Sequence, residues 1–150
     1  ILRCLVGSEM CIRDRQVTVS VISRYIESQS DPDQKRYVFS YTIQIRNDSP
    51  VACQLLRRHW LITDANRKIE EVLGEGVVGK QPVILPGTFF EYSSSAVMET
   101  EIGTMEGRYF LTVLNKESDL NESQVTQKIT QPEFHIPIPR FTLSIPRVLH

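Results

Sequence analysis

The feature that most constrains the fold is a run in which apolar and polar side chains alternate. Throughout residues 37–46 every odd-numbered position is apolar, and most even-numbered positions are polar. Successive side chains of a β-strand point to opposite faces of the sheet, so this run predicts a strand with one face on a core and the other in water. Alternating runs at residues 17–21 and 108–113 predict further strands of the same kind.

Turn-forming residues separate these runs at short intervals. Residues 47–50, 64–66 and 86–87 are rich in Asn, Asp, Pro and Gly, and no window of ten or more residues shows an apolar stripe with helical spacing. Many short strands without intervening helices indicate antiparallel sheets. We therefore predict an all-β fold, an antiparallel sandwich or barrel of about seven or eight strands, near residues 16–26, 36–47, 53–63, 67–72, 82–85, 88–98, 107–114 and 133–145.

Composition excludes several classes of protein. The chain has 150 residues, of which 41% are hydrophobic and 23% charged, and its formal net charge is −1. These values are typical of one globular domain and exclude a disordered chain or a coiled coil. The balance of charges argues against nucleic-acid binding through phosphate contacts. No apolar stretch approaches the roughly 20 residues of a membrane-spanning helix, so we expect no membrane insertion.

Residues 1–15 differ from the rest of the chain. They show neither the alternation of a strand nor the apolar spacing of a helix. They contain two of the three cysteines (Cys4 and Cys11) and resemble a translated adapter sequence. We expect this segment to be extraneous and disordered, and residues 16–150 to form the domain. The irregular cysteine spacing and the lack of a recognisable export signal indicate the cytoplasm.

Two later stretches depart from the regular alternation. Residues 115–131 are polar, which predicts a long exposed loop. Prolines follow at positions 132, 137, 139 and 146. Because proline cannot donate a hydrogen bond to a neighbouring strand, these residues predict an irregular strand at a sheet edge.

Gly74, Gly76 and Gly79 match the spacing G-x-G-x-x-G of dinucleotide-binding loops. That chemistry requires a strand before the motif and a helix after it, and the residues around Gly79 do not favour a helix. A tight connection between strands is the better interpretation. The alternative is a loop whose backbone amides bind a phosphate-bearing metabolite.

Arg57, Arg58 and His59 form the densest cluster of potential ligand-binding side chains. Two guanidinium groups beside an imidazole could hold a phosphate or carboxylate, although a solvated or hydrogen-bonded sheet face is the better interpretation. The neighbouring Trp60 is expected to anchor the core. Strict alternation predicts two faces for this strand: Leu56, Arg58, Trp60 and Ile62 on one, and Leu55, Arg57, His59 and Leu61 on the other.

The sequence contains no recognisable catalytic or metal-binding pattern. The three histidines are far apart, the two N-terminal cysteines lack zinc-site spacing, and no G-x-S-x-G motif occurs. Cys53 is expected to be a buried thiol, and the glutamates at 70, 71 and 75 are the best candidates for a hard cation. We therefore expect no catalytic residues, no metal site, no cofactor and no enzymatic activity.

The chain also resembles the ApaG domain family. The resemblance extends in order over nearly all of the domain, through residues 37–45, 54–66, 71–82, 85–87, 90–92, 103–107, 136–137, 141–143 and Pro146. It implies an immunoglobulin/fibronectin type III-like β-sandwich. Arg67 departs from the family pattern, because a hairpin glycine is common at its position.

The resemblance further implies a protein-interaction module with a family association to Co²⁺ and Mg²⁺ efflux or resistance. The leading hypothesis is therefore a non-enzymatic domain that binds another protein. The alternatives are a sensor of a phosphate-bearing metabolite near the glycine-rich loop and direct regulation by divalent cations. Because edge strands can pair between copies, a homodimer is also expected.

Overall fold

The structure, a computed structural model, describes residues 16–114 and 133–146. Two single turns of 3₁₀ helix, Glu27–Gln29 and Pro32–Gln34, connect the first two strands. The eight strands are β1 (Val17–Tyr25), β2 (Tyr37–Asn47), β3 (Ala52–Asp64), β4 (Ile69–Glu75), β5 (Val83–Ile84), β6 (Thr88–Met98), β7 (Ile102–Leu114) and β8 (Glu133–Ser144).

The strands form two antiparallel sheets that face each other. One sheet has the order β1-β2-β6, and the other has the order β4-β3-β7-β8, with the short β5 paired to β3. This arrangement confirms the predicted antiparallel β-sandwich. Within the described residues no helix is long and apolar enough to span a membrane.

Two strands extend three or more residues beyond a predicted end. β4 continues to Glu75 and β7 begins at Ile102, because Gly74, Gly103 and Gly107 do not end these strands but pair with residues of β3. The proline-rich β8 lies at a sheet edge and shifts its register against β7, as expected. The predictions for residues 1–15 and 115–131 lie outside the described part of the chain.

Trp60 lies at the centre of an aromatic core. Its ring packs 5.5 Å from Tyr41, 5.9 Å from Phe141 and 6.3 Å from Tyr109, measured between ring centroids. The predicted role of Trp60 as a core anchor is thus confirmed. Contacts of this geometry add to the stability gained from burying the rings.

Two tyrosine hydroxyls meet inside this core. Tyr92 and Tyr109 share a hydrogen bond between their hydroxyl groups. Burial raises the pKa of both phenols above the ordinary value of 10.0, because an ionised phenolate is poorly solvated there. Both tyrosines therefore stay protonated in the folded protein.

A β-bulge in β3 corrects the predicted assignment of its faces. Leu55 pairs with Leu111 and Arg57 pairs with Phe110, so Leu56 is an extra residue without a partner in β7. A bulge of one residue reverses which positions point inward. Leu55 is therefore fully buried on the same side as Trp60, and its predicted place beside Arg57 was wrong.

The β3–β4 hairpin contains a strained arginine. The Arg67 backbone has a φ of 66° and its amide donates to the Asp64 carbonyl at 3.1 Å, which is a type I turn followed by a left-handed residue. A side chain disfavours that conformation by about 1–2 kcal/mol relative to glycine.

We expect Arg67→Gly to stabilise the protein by up to about 1 kcal/mol, part of the relieved strain being offset by the greater freedom of glycine in the unfolded chain. Thermal unfolding should show a melting temperature raised by about 2–4 °C. Arg67→Ala keeps the strained geometry and is the matched control. A glycine variant no more stable than the alanine variant would contradict the prediction.

Candidate functional site

The pairing of β3 with β4 brings the two predicted ligand-binding segments together. Arg58 lies opposite Gly74, and Arg57 lies opposite Glu75. The basic cluster and the start of the glycine-rich loop therefore form one region at the edge of the five-stranded sheet.

The glycine-rich loop is a tight turn. Val77 and Lys80 exchange two backbone hydrogen bonds of 2.8 and 2.9 Å, and the two residues between them, Val78 and Gly79, have φ of 44° and 77°. Positive φ at both central residues is the signature of a type I′ turn. No helix begins in this segment, so the geometry of a dinucleotide-binding loop is not formed.

Most of the amides suited to bind a phosphate are already used within the domain. The Gly76 amide donates to the Leu56 carbonyl at 2.8 Å, and the Val77 and Lys80 amides bond to each other's carbonyls. An anion bound by these groups would have to displace backbone hydrogen bonds, at a cost of the order of 1 kcal/mol for each. The phosphate-binding hypothesis stays a prediction.

Arg58 of β3 forms hydrogen bonds with this turn. Its guanidinium lies over Gly74, where an added Cβ would come within 2.8 Å, and Nη1 donates to the carbonyls of Gly76 at 2.7 Å and Glu75 at 3.2 Å. Gly74 thus supplies the space that the arginine occupies. This arrangement gives Arg58 a structural role.

Arg57 and His59 point outward from β3, and each has an acidic partner. Arg57 forms a salt bridge with Glu133 of β8 while its guanidinium lies 4.8 Å from the centroid of the Phe110 ring. His59 Nε2 lies 2.8 Å from a carboxylate oxygen of Glu71. These contacts hold both side chains against the sheet.

The glutamates proposed for a hard cation do not converge. The register of β4 against β3 places Glu70 opposite the inward Ile62, whereas Glu71 and Glu75 lie opposite outward residues. In residues 16–114 and 133–146 no group of three or more His, Cys, Asp or Glu side chains has the proximity needed to hold a metal ion.

The structure adds residues that the sequence analysis missed. Leu73 and Phe110 line a shallow open depression with Arg57, and Arg108 and His135 line a second one. These five residues, on four adjacent strands, are called the Arg57 face. Outward alternation along each strand could have identified them, but their proximity depends on how β4, β3, β7 and β8 are ordered and registered.

Fold and surface together define a fibronectin-type β-sandwich that exposes side chains on its sheet faces. The family model described as the ApaG domain matches residues 27–113. Protein ApaG of Thiobacillus denitrificans is 48% identical over 135 residues, covering 90% of this chain and 94% of that protein. Protein ApaG of Pectobacterium atrosepticum is 46% identical and covers 90% of this chain and 96% of that protein.

A solved structure agrees with these relatives. The crystal structure of an ApaA protein from Bordetella pertussis is 41% identical and superimposes with a TM-score of 0.74, covering 88% of this chain and 95% of that chain. The chain therefore belongs to the ApaG domain family.

Proposed function

We propose that this domain is a non-enzymatic protein-interaction module and that the Arg57 face is its contact surface. The observation that carries the proposal is an exposed apolar side chain beside a fixed aromatic–arginine pair. Leu73 is 70% exposed, and it lines the same depression as Arg57 and Phe110. Arginine and aromatic residues are enriched at the centres of protein interfaces.

The Arg57 face is preorganised for binding. Arg57 is held between Glu133 and the Phe110 ring, and the Phe110 ring lies 6.1 Å from that of His135, measured between centroids. Side chains that are already ordered lose less conformational entropy when a partner binds. A sheet surface of this kind therefore favours association.

The positive charge of Arg108 indicates which chemical group a partner would place against this face. Arg108 is exposed between His59 and Pro137 in the ladders of β7, and it forms no salt bridge within the residues the structure describes. A partner carboxylate could pair with Arg108 while an apolar side chain covers Leu73. We therefore propose a protein partner with an acidic group next to an apolar anchor.

We expect Leu73→Lys to weaken partner binding at least tenfold, because it places a charge where the partner buries an apolar group. Ile22→Lys is the matched control, since Ile22 is 75% exposed on the opposite sheet. Partners captured from native lysate with the full chain would be titrated against both variants by calorimetry. Failure to find a saturable partner, or equal affinity of the two variants, would contradict the proposal.

The proposal places the domain in the cytoplasm and in the cellular process with which its family is associated, Co²⁺ or Mg²⁺ efflux. A domain that acts by binding a protein would influence such a process through its partner. It would need no metal site or transport path of its own.

A further inference from the structure

We propose that the free edge of β6 pairs with β6 of a second copy, joining two three-stranded sheets into one continuous six-stranded sheet. The exposed edge of a β-strand carries unpaired N–H and C=O groups that can template such pairing. In the described part of the chain β6 pairs with β2 on one side and with no strand on the other.

The other sheet edges carry features that discourage pairing. β4 is short and three of its seven residues are glutamates. β8 contains Pro137 and Pro139 and a register shift. β1 lies beside β8, where the Ser23 hydroxyl donates to the Thr142 carbonyl at 3.5 Å. Short length, charge, proline and irregularity are the usual protections of an edge strand.

The β6 edge is neither short nor irregular, and it is poor in charge and proline. Its eleven residues pair with β2 in an unbroken register, and they include no proline, no lysine and a single charged residue, Glu91. Phe89 and Val97, near its two ends, are 55% and 54% exposed. A long, regular strand with exposed apolar ends is suited to association.

The β6 sequence is complementary to itself about Ser93. An antiparallel pair of β6 strands with Ser93 at the two-fold axis uses all eleven residues and keeps inward positions on one face. It juxtaposes large with small and apolar with apolar residues: Phe89 with Val97, Phe90 with Ala96, Glu91 with Ser95, Tyr92 with Ser94, and Ser93 with itself. Aromatic and β-branched residues placed opposite each other stabilise antiparallel sheets.

Neighbouring registers are poorer. With Ser94 at the axis, Phe89 would oppose Glu99 and Val97 would oppose Glu91. With Tyr92 at the axis, Val97 would oppose Gly87, beyond the end of the strand. With Glu91 at the axis, two carboxylates would lie directly opposite each other, which is destabilising. The second copy is therefore expected to bind in the Ser93-centred register.

Disulfide trapping tests this register. In the full chain carrying Cys4→Ser and Cys11→Ser, Ser93→Cys places two thiols opposite each other at the axis, whereas Ser95→Cys places each thiol opposite Glu91 of the other copy. We expect mild oxidation to cross-link the Ser93→Cys protein at least tenfold faster than the Ser95→Cys protein. Equal rates would overturn the proposed register.

A charge pair tests the same interface without covalent chemistry. Ser95→Lys would face Glu91 of the other copy twice in each dimer, and Ser95→Glu would place like charges there. Sedimentation equilibrium should show a dimer whose dissociation constant falls by roughly 2- to 30-fold with lysine and rises by a similar factor with glutamate. A protein that stays monomeric up to about millimolar concentration, or whose dimer ignores both substitutions, would overturn the proposal. Neither result bears on the Arg57 face, which lies on the other sheet.

Discussion

Replacing Asn47 with alanine should cost about 3–5 kcal/mol of unfolding free energy, a large share of the total stability of a domain this size. Asn47 is fully buried at the end of β2, and its side chain makes four hydrogen bonds. Nδ2 donates to the carbonyls of Val51 at 2.8 Å and Ile84 at 2.9 Å, while Oδ1 accepts from the amide and hydroxyl of Ser49 at 3.0 and 2.6 Å.

The expected loss is large because alanine removes all four of these hydrogen bonds at once. The side chain connects β2, the turn that follows it and β5, and a buried polar group left without a partner costs about 1–3 kcal/mol. Urea unfolding followed by the fluorescence of Trp60 would measure the change. The melting temperature should fall by about 10 °C.

Asp48→Ala is the control for this measurement. Asp48 is the next residue, but it is exposed and pairs with Arg46 at 2.8 Å on the surface. Exposed ion pairs contribute little to stability, so the unfolding midpoint should hardly move. A loss for Asn47→Ala no larger than that for Asp48→Ala would show that the buried network does not stabilise the fold.

The second large effect is expected in the glycine-rich turn. Gly76 and Gly79 both have positive φ, 65° and 77°. A Cβ added at Gly76 would overlap the backbone carbonyl of Lys80, whereas one at Gly79 would meet nothing within 4 Å. We expect Gly76→Ala to cost about 3 kcal/mol, from left-handed strain and steric overlap together, and Gly79→Ala about 1 kcal/mol, from strain alone.

The comparison of these two variants separates a steric requirement from a conformational one. Urea unfolding of both proteins gives the two costs directly. Losses of equal size would mean that the turn moves to relieve the overlap, and they would remove the steric explanation for Gly76. Because no ligand is present in the experiment, the result does not depend on any binding role for the loop.

The sequence predicted the parts of the fold that depend on local pattern. Alternation along residues 37–46 indicated which side chains of β2 are buried, since the pleat of a strand sends neighbouring residues to opposite faces. The central place of Trp60 and the edge position of the proline-rich β8 followed from side-chain size and from missing donors. The resemblance to the ApaG domain family supported the same sandwich.

The candidate site could be predicted only as a set of residues. Arg57, Arg58 and His59 were singled out for their chemistry, and the pairing of β3 with β4 does bring Arg58 to Gly74. Their partners come from other parts of the chain: Arg57 pairs with Glu133 of β8, and Arg58 donates to the carbonyls of Glu75 and Gly76. Gly79 lies in the glycine-rich turn, where its positive φ allows the chain to reverse direction.

What the sequence by itself determined is therefore the class of fold and its aromatic core, because periodicity and side-chain size act within each strand. Three features were decided only by the tertiary structure. They are the bulge at Leu56 that reverses the inward positions of β3, the hydrogen bonds of Arg58 to the glycine-rich turn, and the exposed edge of β6. Those features depend on which strands become neighbours and in what register, and a register is set by contacts between residues distant along the chain. The alternation of residues within one strand does not specify those contacts.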